Sequence, residues 1–309
     1  MGIEDQTTIE ALEARIKTLL PEEYQDCYNE VQPVSMGSAG LKYGSDGKVA
    51  WNDMWETFCD LAMAGGPPHK GTLLQPGSPA DINAQPDRYK EVVEEICRGA
   101  ALVTELPVQP SPIPGWVRVE CESDAMAGWL VRAITMENVS VRCEGATLDL
   151  PAGPAYRIEK EIKNVITVIA KTSHYWLDHM WAGQHRDVAN LFTNMAVKSP
   201  LIQPAPPGPD FDPQKHAALS SQIAEAIHQA TGLTRSTHQY PGWLGVQCPD
   251  VRAAIWMMRA LVASNVLSRR EETVLFVPID PETDPDGELV VQCVVRMHTF
   301  AGVRLGAGA

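Results

Sequence analysis

Histidine and aspartate side chains cluster in residues 173–181, which read Ser-His-Tyr-Trp-Leu-Asp-His-Met-Trp. A helix that advances about 100° per residue would place four side chains of this region on one side: His174, Asp178, Trp181 and His185. An imidazole beside a carboxylate can give or take a proton near neutral pH. We therefore expect His174, Asp178 and His179 to be catalytic, and Trp181 to bind ligand. A solvated or interface face is the alternative interpretation.

This cluster is not expected to hold a metal ion. His174 and His185 are eleven residues apart, which is about 16 Å along a helix and too far for one ion. Only His174 and Asp178 could share an ion, and the zinc motif HExxH is absent. We expect no metal site, and the sequence leaves any cofactor unknown.

A second candidate site is the stretch Gly-Gly-Pro-Pro-His-Lys-Gly-Thr at residues 65–72. Gly65 and Gly66 would let backbone amides face an anion, and two further side chains, His69 and Lys70, would add hydrogen-bond donors. The P-loop spacing is absent. We expect His69 to be catalytic in one cleft with the histidines of residues 173–181, and the other three residues to bind ligand. The alternative is a loop that ends a helix and contacts no ligand.

A long block of the chain occurs twice. Residues 114–154 and 241–281 align without gaps at an offset of 127, and 16 of 41 positions are identical. This identity exceeds what unrelated sequences share, so it predicts an internal tandem duplication. Both candidate sites lie outside the matched blocks, so we expect function to be asymmetric between the two halves.

Three pairs of residues that are identical between the blocks bear on function. Trp129 and Trp256 lie in the apolar stripe of a predicted helix, so they are expected in the core. The equivalent arginines have two interpretations, a structural ion pair or bidentate binding of an anionic ligand: Arg132 and Arg259. The equivalent cysteines precede a helix, where a thiol pKa can fall, but packing at a strand end is the simpler interpretation: Cys121 and Cys248.

The elements that must position these residues alternate between helix and strand. Each block predicts a strand, a helix and a strand, the split β-α-β unit of ferredoxin-like α+β folds. Residues 140–150 are expected to form one strand bent at Gly145, and residues 288–298 another strand. A long helix at residues 156–184 is expected to join the halves. The predicted domains are an N-terminal helix and arm at 1–44, a first repeat at 45–170 and a second repeat at 171–309.

Composition narrows the class of protein. The chain has 309 residues and a formal net charge of −14, which argues against nucleic acid or an anionic membrane as a partner. No apolar run is long enough to span a membrane. The seven cysteines occur singly, without a CxxC pair, as expected for reduced thiols in the cytoplasm.

Two classes of function fit these observations. The first is a cytoplasmic enzyme that binds a small, anionic molecule in a pocket at the seam of two duplicated halves. The second is a non-catalytic ligand-binding or assembly protein that docks a partner through an apolar surface rich in tryptophan: Trp51, Trp55, Trp176 and Trp181. A homodimer is compatible with either class. Substrate and reaction type do not follow from the sequence.

Overall fold

The computed structural model describes residues 8–28, 40–53, 71–204 and 212–306. The chain divides into two compact units, Val31–His185 and Met1–Glu30 together with Arg186–Ala309. Each unit contains a four-stranded antiparallel sheet. Together with the helices of each unit, these sheets confirm the predicted α+β class.

The described helices and strands follow the chain in a fixed order. The helices are α1 (Ile9–Leu19), α2 (Pro79–Ala84), α3 (Pro86–Thr104), α4 (Asp124–Met136), α5 (Lys163–His174), α6 (Ala182–Lys198), α7 (Pro213–Thr231), α8 (Val251–Val262) and α9 (Glu288–Leu305). The strands are β1 (Val108–Pro110), β2 (Trp116–Glu120), β3 (Arg142–Glu144), β4 (Thr147–Pro151), β5 (Thr234–Arg235), β6 (Trp243–Gln247), β7 (Arg269–Glu271) and β8 (Val274–Pro278). A 3₁₀ turn occupies Glu22–Tyr24, and π-helical turns occupy Ile158–Ile162 and Tyr175–His179.

The sheet of the Val31–His185 unit has the order β1-β2-β4-β3. Strand β4 lies between β2 and β3 and runs antiparallel to both. Arg118 on β2 donates two hydrogen bonds of 2.9 Å to the Asp149 carboxylate on β4. This bidentate pair fixes the register of the central strands, because a one-residue slip would move the two side chains to opposite faces.

Helix α4 begins at Ser123, whose hydroxyl accepts a hydrogen bond of 3.2 Å from the Met126 amide. The helix is apolar around most of its circumference and is almost entirely buried. Trp129 at its centre is only 2% exposed, as predicted. The helix therefore serves as the core element on which both the sheet and α5 pack.

The predicted single strand at residues 140–150 is wrong. The chain instead forms a hairpin of β3 and β4, and Glu144 pairs with Thr147 next to the turn. Gly145 adopts a left-handed conformation with φ of +56°. Glycine tolerates this backbone without strain, so the residue that suggested a bend makes a reversal.

The second unit builds its sheet in the order β5-β6-β8-β7. Helix α8 starts at Asp250, whose carboxylate accepts from the Ala253 amide at 2.8 Å. Trp256 within it is fully buried. The side chain of Arg269 is also fully buried, with its guanidinium carbon 4.0 Å from the Phe276 ring centroid and an ion pair of 2.8 Å to Glu271. Pairing and ring contact offset part of the desolvation cost of this charge.

The N-terminal segment belongs to this second unit. Helix α1 buries Leu12, Ile16 and Leu19. Arg259 on α8 donates to the carbonyl oxygens of Tyr24 at 3.0 Å and Cys27 at 2.7 Å, just beyond α1. The burial of α1 and the hydrogen bonds of Arg259 hold residues 8–28 against a part of the chain that is more than 200 residues away in sequence.

The predicted strand at residues 288–298 is also wrong, because these residues form the first part of α9. Val290, Val294, Met297 and Ala301 are buried at helical spacing. The Asp284 carboxylate accepts from the Leu289 and Val290 amides, which caps the helix. The β-branched valines suggested a strand, but tertiary burial of one helical stripe outweighs that local preference.

The predicted continuous helix at residues 156–184 is interrupted. Helix α5 ends at His174, a π-turn follows, and Met180 is extended with φ of −74° and ψ of 117°. A separate helix, α6, starts at Ala182. The interruption lies in the segment that carries the candidate catalytic side chains.

Candidate functional site

The π-turn Tyr175–His179 is the backbone feature on which the candidate site is built. Its last hydrogen bond runs from the Met180 amide to the Tyr175 carbonyl oxygen at 2.8 Å, five residues back. An α-helix would separate side chains five residues apart by about 140° around its axis. The wider turn brings such side chains to the same side, and π-turns of this kind are frequent at functional sites.

Three predicted catalytic residues meet at this turn. The Nδ1 atom of His174 lies 2.7 Å from Oδ2 of Asp178. The Nε2 atom of His174 lies 3.0 Å from Nε2 of His179. Aspartate, histidine and histidine therefore form one continuous chain of polar contacts on the surface of the Val31–His185 unit.

The direction of these hydrogen bonds follows from the groups involved. An ionised carboxylate only accepts, so Nδ1 of His174 donates to Asp178. Neutral His174 then has its lone pair on Nε2, which accepts a hydrogen bond from Nε2 of His179. The lone pair of His179 is consequently on Nδ1, the nitrogen outside the chain. This arrangement allows His179 to take a proton while Asp178 stabilises positive charge on His174.

Accessibility differs along the chain of contacts. The His174 side chain is 23% exposed and that of Asp178 is 62% exposed. His179 is also exposed. His179, the member of the series that can exchange protons with a substrate, is thus open to a bound molecule, while the imidazole of His174 in the middle is partly shielded.

A buried aromatic layer supports the exposed histidines. The rings of Trp129 and Tyr175 stack at 5.5 Å with an interplanar angle of 18°. Tyr175 in turn stacks with His179 at 6.4 Å and 13°. Trp129 also contacts Trp176 at 5.9 Å. Rigid packing below the site restricts the ring orientations that the hydrogen bonds require.

A buried ion pair anchors the helix that precedes the π-turn. Lys171 on α5 donates to the Glu137 carboxylate at the end of α4, and the two side chains are 4% and 2% exposed. Lys171 lies one turn before Tyr175. The sequence did not suggest this pair, since nothing in the spacing of Glu137 and Lys171 indicates that they meet.

The other side chains expected on the same face do not join this chain of contacts. Trp181 is 67% exposed, and its ring lies against Gly183. His185 contacts the Trp176 carbonyl oxygen through Nε2 at 2.7 Å, and its ring lies tilted by 33° against the Trp176 indole, with the centroids 4.5 Å apart. The sequence prediction placed His185 on the same side as His174 because it assumed an unbroken α-helix.

The predicted anion-binding arginines make hydrogen bonds within their own units. Arg132 donates to the Gly128 carbonyl oxygen at 2.5 Å, and burial lowers the pKa of its guanidinium to about 10. Arg259 makes the two carbonyl contacts to the N-terminal segment described above, and its guanidinium lies 5.2 Å from the Tyr28 ring. Burial also lowers the pKa of Arg259. Anion binding by either arginine stays a prediction.

Residues 65–70 of the glycine-rich candidate stretch lie outside the described residues. This holds for all four of its predicted site residues: Gly65, Gly66, His69 and Lys70. The cleft that was expected to unite His69 with His174 or His179 therefore stays a prediction from the sequence.

The two matched cysteines do not have the properties of nucleophiles. Burial raises the pKa of Cys121 to about 12 and that of Cys248 to about 12. The shift is opposite to the one expected from a position just before a helix. Only the thiolate is a good nucleophile, so thiols that stay protonated at neutral pH suit packing at a strand end.

In the described part of the chain, no group of three or more His, Cys, Asp or Glu side chains could hold a metal ion. None of its helices is long and apolar enough to cross a membrane.

Comparisons with protein-family models, with curated proteins and with solved structures give no match for this chain. Function must therefore be inferred from the side chains themselves.

Proposed function

We propose that this protein is an enzyme that acts on a small molecule by proton transfer through Asp178, His174 and His179. The observation that carries the proposal is the unbroken chain of contacts, 2.7 Å from Asp178 to His174 and 3.0 Å from His174 to His179. The three are the residues expected from sequence to be catalytic in this stretch. Their placement on a π-turn above a stacked aromatic layer adds support.

In the proposed mechanism His179 is the general base. Its Nδ1 atom removes a proton from a hydroxyl group or a water molecule of the bound complex. As the proton is taken up, the Nε2 proton of His179 passes to Nε2 of His174. His174 then carries both ring protons, and the Asp178 carboxylate stabilises the imidazolium. The activated oxygen can attack an ester carbonyl. The bond from the carbonyl carbon to the leaving oxygen then breaks, and the leaving oxygen takes back the proton held by the two histidines. The proposed reaction class is therefore hydrolysis or another acyl transfer.

A general probe ester, p-nitrophenyl acetate, tests this base without knowledge of the natural substrate. A metal chelator is present throughout. Full-length His179→Asn and His174→Asn should each hydrolyse the ester at least roughly tenfold more slowly than the natural chain, since a positioned base contributes more than this to many reactions. Circular dichroism should show unchanged folding, because the His179 side chain is exposed and that of His174 is partly exposed.

His238→Asn is a matched control. His238 also pairs its Nδ1 with a carboxylate, Glu271 at 3.3 Å, but it belongs to the other unit and forms no histidine chain in the described structure. It should keep the full rate. Equal rates for the natural chain, His179→Asn and His238→Asn would refute the proposed base.

The second candidate function is a non-catalytic assembly protein. Among the tryptophans predicted to form a docking surface, Trp51 and Trp176 are buried, whereas Trp181 is 67% exposed. Leu177 on the same segment is 40% exposed. Trp55 lies outside the described residues. Sedimentation of the natural chain and of Trp181→Ser tests this function: self-association that is lost in the variant, without ester hydrolysis, would favour it.

We further propose that the two sheets descend from a duplicated, ferredoxin-like unit. Their orders, β1-β2-β4-β3 and β5-β6-β8-β7, correspond strand by strand. The register supports this, since Trp116 pairs with Pro151 and Trp243 with Pro278, both 127 residues later. An equivalent asparagine has a left-handed backbone in each unit: Asn138 and Asn265. A crystal structure in which the two units have different strand orders would contradict a common origin.

A cytoplasmic location remains part of the proposal. Six cysteines in the described residues are free thiols, which supports a reducing compartment. Alkylation of freshly lysed source cells in denaturant tests it, because disulfide-linked peptides would contradict the location.

A further inference from the structure

We propose that the imidazoles of His174 and His179 also bind a divalent late transition-metal ion, with Cu²⁺ as the preferred ion. The ion would lie between the two Nε2 atoms, in place of the shared proton. This site uses side chains of the proposed base but does not depend on catalysis. A chain that hydrolyses no substrate could still bind the ion.

The separation of the two nitrogens suits a common ion. The Nε2 atoms are 3.0 Å apart. Two imidazole nitrogens that bind one ion at about 2.0–2.1 Å and roughly at a right angle would lie about 2.9 Å apart. Adjacent ligands at a right angle are characteristic of the square-planar or tetragonal coordination of Cu²⁺ and Ni²⁺.

The orientation of the rings points the same way. The ring centroids of His174 and His179 are 4.7 Å apart with an interplanar angle of 76°. If the two rings pointed straight at each other, their centroids would be separated by the distance between the nitrogens plus two ring radii. The observed centroid separation is smaller, so the contact between the two Nε2 atoms is bent. A bent contact weakens an N–H···N hydrogen bond but is what two ligands of one ion require.

Asp178 occupies the position of an outer carboxylate in a metal–histidine site. Its Oδ2 atom lies 2.7 Å from Nδ1 of His174, the nitrogen that would not bind the ion. Metal-binding histidines almost always donate this second ring N–H to a carboxylate, a carbonyl or water, which fixes the tautomer and raises ligand basicity. The hydrogen bond from Nδ1 of His174 to Asp178 thus leaves the lone pair of His174 on Nε2, where it can bind the ion.

Charge and access favour a cation at this position. The carboxylate of Asp178 is close by, and the net charge of the chain is −14. Because Asp178 and His179 are exposed, the remaining coordination positions can be filled by water. The two protein ligands define an open site, consistent with the finding that the described residues form no group of three or more ligands.

The choice of ion follows from ligand chemistry. Imidazole nitrogen suits zinc, copper, iron and nickel, whereas Mg²⁺ prefers oxygen ligands. Affinity for a given nitrogen site rises along the first-row series to a maximum at Cu²⁺. A site with only two protein ligands depends most on this intrinsic preference.

Titration of the purified full-length chain with Cu²⁺ alone, followed by calorimetry and electron paramagnetic resonance, tests the proposal. We expect one saturable site whose spectrum indicates two imidazole nitrogens, and no heat of binding with Mg²⁺. His179→Asn should remove the site. Asp178→Asn should weaken binding by about 10–100-fold, the usual effect of losing an outer partner. The matched control His238→Asn should bind like the natural chain.

A second measurement covers the case in which His179→Asn does not fold. In the natural chain, substoichiometric Cu²⁺ should broaden the ring signals of His174 and His179 before those of the other histidines. Broadening that starts elsewhere, or unchanged affinity in a folded His179→Asn, would overturn the metal site. Ester hydrolysis with no copper binding would refute the metal site alone, and copper binding with no hydrolysis would refute the proposed base alone.

Discussion

The side chains of the site owe their arrangement to one backbone irregularity. His174 and Asp178 are four residues apart and would meet on any helix, so their pairing could be predicted from sequence. His179 is five residues from His174 and reaches it only through the π-turn. Nothing in the periodicity of residues 173–181 indicates that turn, so the third member of the chain had no positional support from the sequence.

The buried pair beneath the site supports a prediction about single residues. Lys171 and Glu137 are almost fully buried. Glu137→Ala leaves the lysine charge without its carboxylate and should lower the free energy of unfolding by about 3–5 kcal/mol. Urea denaturation measures the loss.

An exposed pair provides the comparison. Lys90 and Glu94 are 3.8 Å apart with side chains 76% and 65% exposed, so Glu94→Ala should change stability by less than about 1 kcal/mol. The double variant Lys171→Met, Glu137→Leu should recover most of the loss, because it removes both buried charges. Equal effects of Glu137→Ala and Glu94→Ala would contradict the structural role of the buried pair.

At the scale of elements, helix α3 has a glycine where two other elements approach it. A Cβ atom at Gly99 would lie 2.2 Å from Cδ1 of Ile166 on α5 and 2.9 Å from Cδ1 of Trp51. The Trp51 indole is held in place by a hydrogen bond of 2.8 Å to Glu95, also on α3. Gly99 lowers the helix propensity of α3, but it allows Ile166 and Trp51 to pack closely against the helix.

Gly99→Ala should consequently destabilise the protein by about 1–3 kcal/mol, the usual cost of overpacking. The matched substitution is Gly302→Ala in α9, where a Cβ atom would meet nothing within 4 Å. There the alanine should add roughly 0.5–1 kcal/mol through helix propensity. Denaturation midpoints of the two variants should shift in opposite directions, and a shift in the same direction would count against the packing seen at Gly99.

Sequence patterns predicted some elements better than others. The strands β2 and β6 and the helices α4 and α8 follow the expected order, because their apolar spacing and their caps agree. Helix α9 was mistaken for a strand, since valines at 290, 291, 294 and 295 fit a strand locally. The burial of one face and the local cap from Asp284 decide for a helix, and the burial depends on tertiary packing.

At the scale of the whole molecule, one of the two units is built from two segments that are far apart in sequence. The second unit combines Met1–Glu30 with Arg186–Ala309, and the first is the continuous stretch Val31–His185. The sequence predicted boundaries near residues 44 and 170, which stay predictions. Local patterns can locate repeats, but they do not reveal that an N-terminal helix packs on an element far along the chain.

Fragments should therefore differ in their ability to fold. Residues 31–185 contain a four-stranded sheet and reach the size, about 150 residues, at which a domain buries most of the surface that its unfolded chain exposes. We expect this fragment to unfold cooperatively on heating, as followed by circular dichroism. A fragment ending at residue 170 should be less stable, because it lacks Tyr175 and Trp176, which contact Trp129.

The complementary fragment, residues 186–309, should fold poorly by itself. It lacks the buried face of α1, formed by Leu12, Ile16 and Leu19, and the carbonyl groups that accept hydrogen bonds from Arg259. Addition of a peptide of residues 1–30 should restore a cooperative transition, whereas the same peptide with Leu12→Asp and Ile16→Asp should not, because the carboxylates would be buried without partners. A fragment 186–309 that melts cooperatively without the peptide would show that the N-terminal helix is dispensable for this unit.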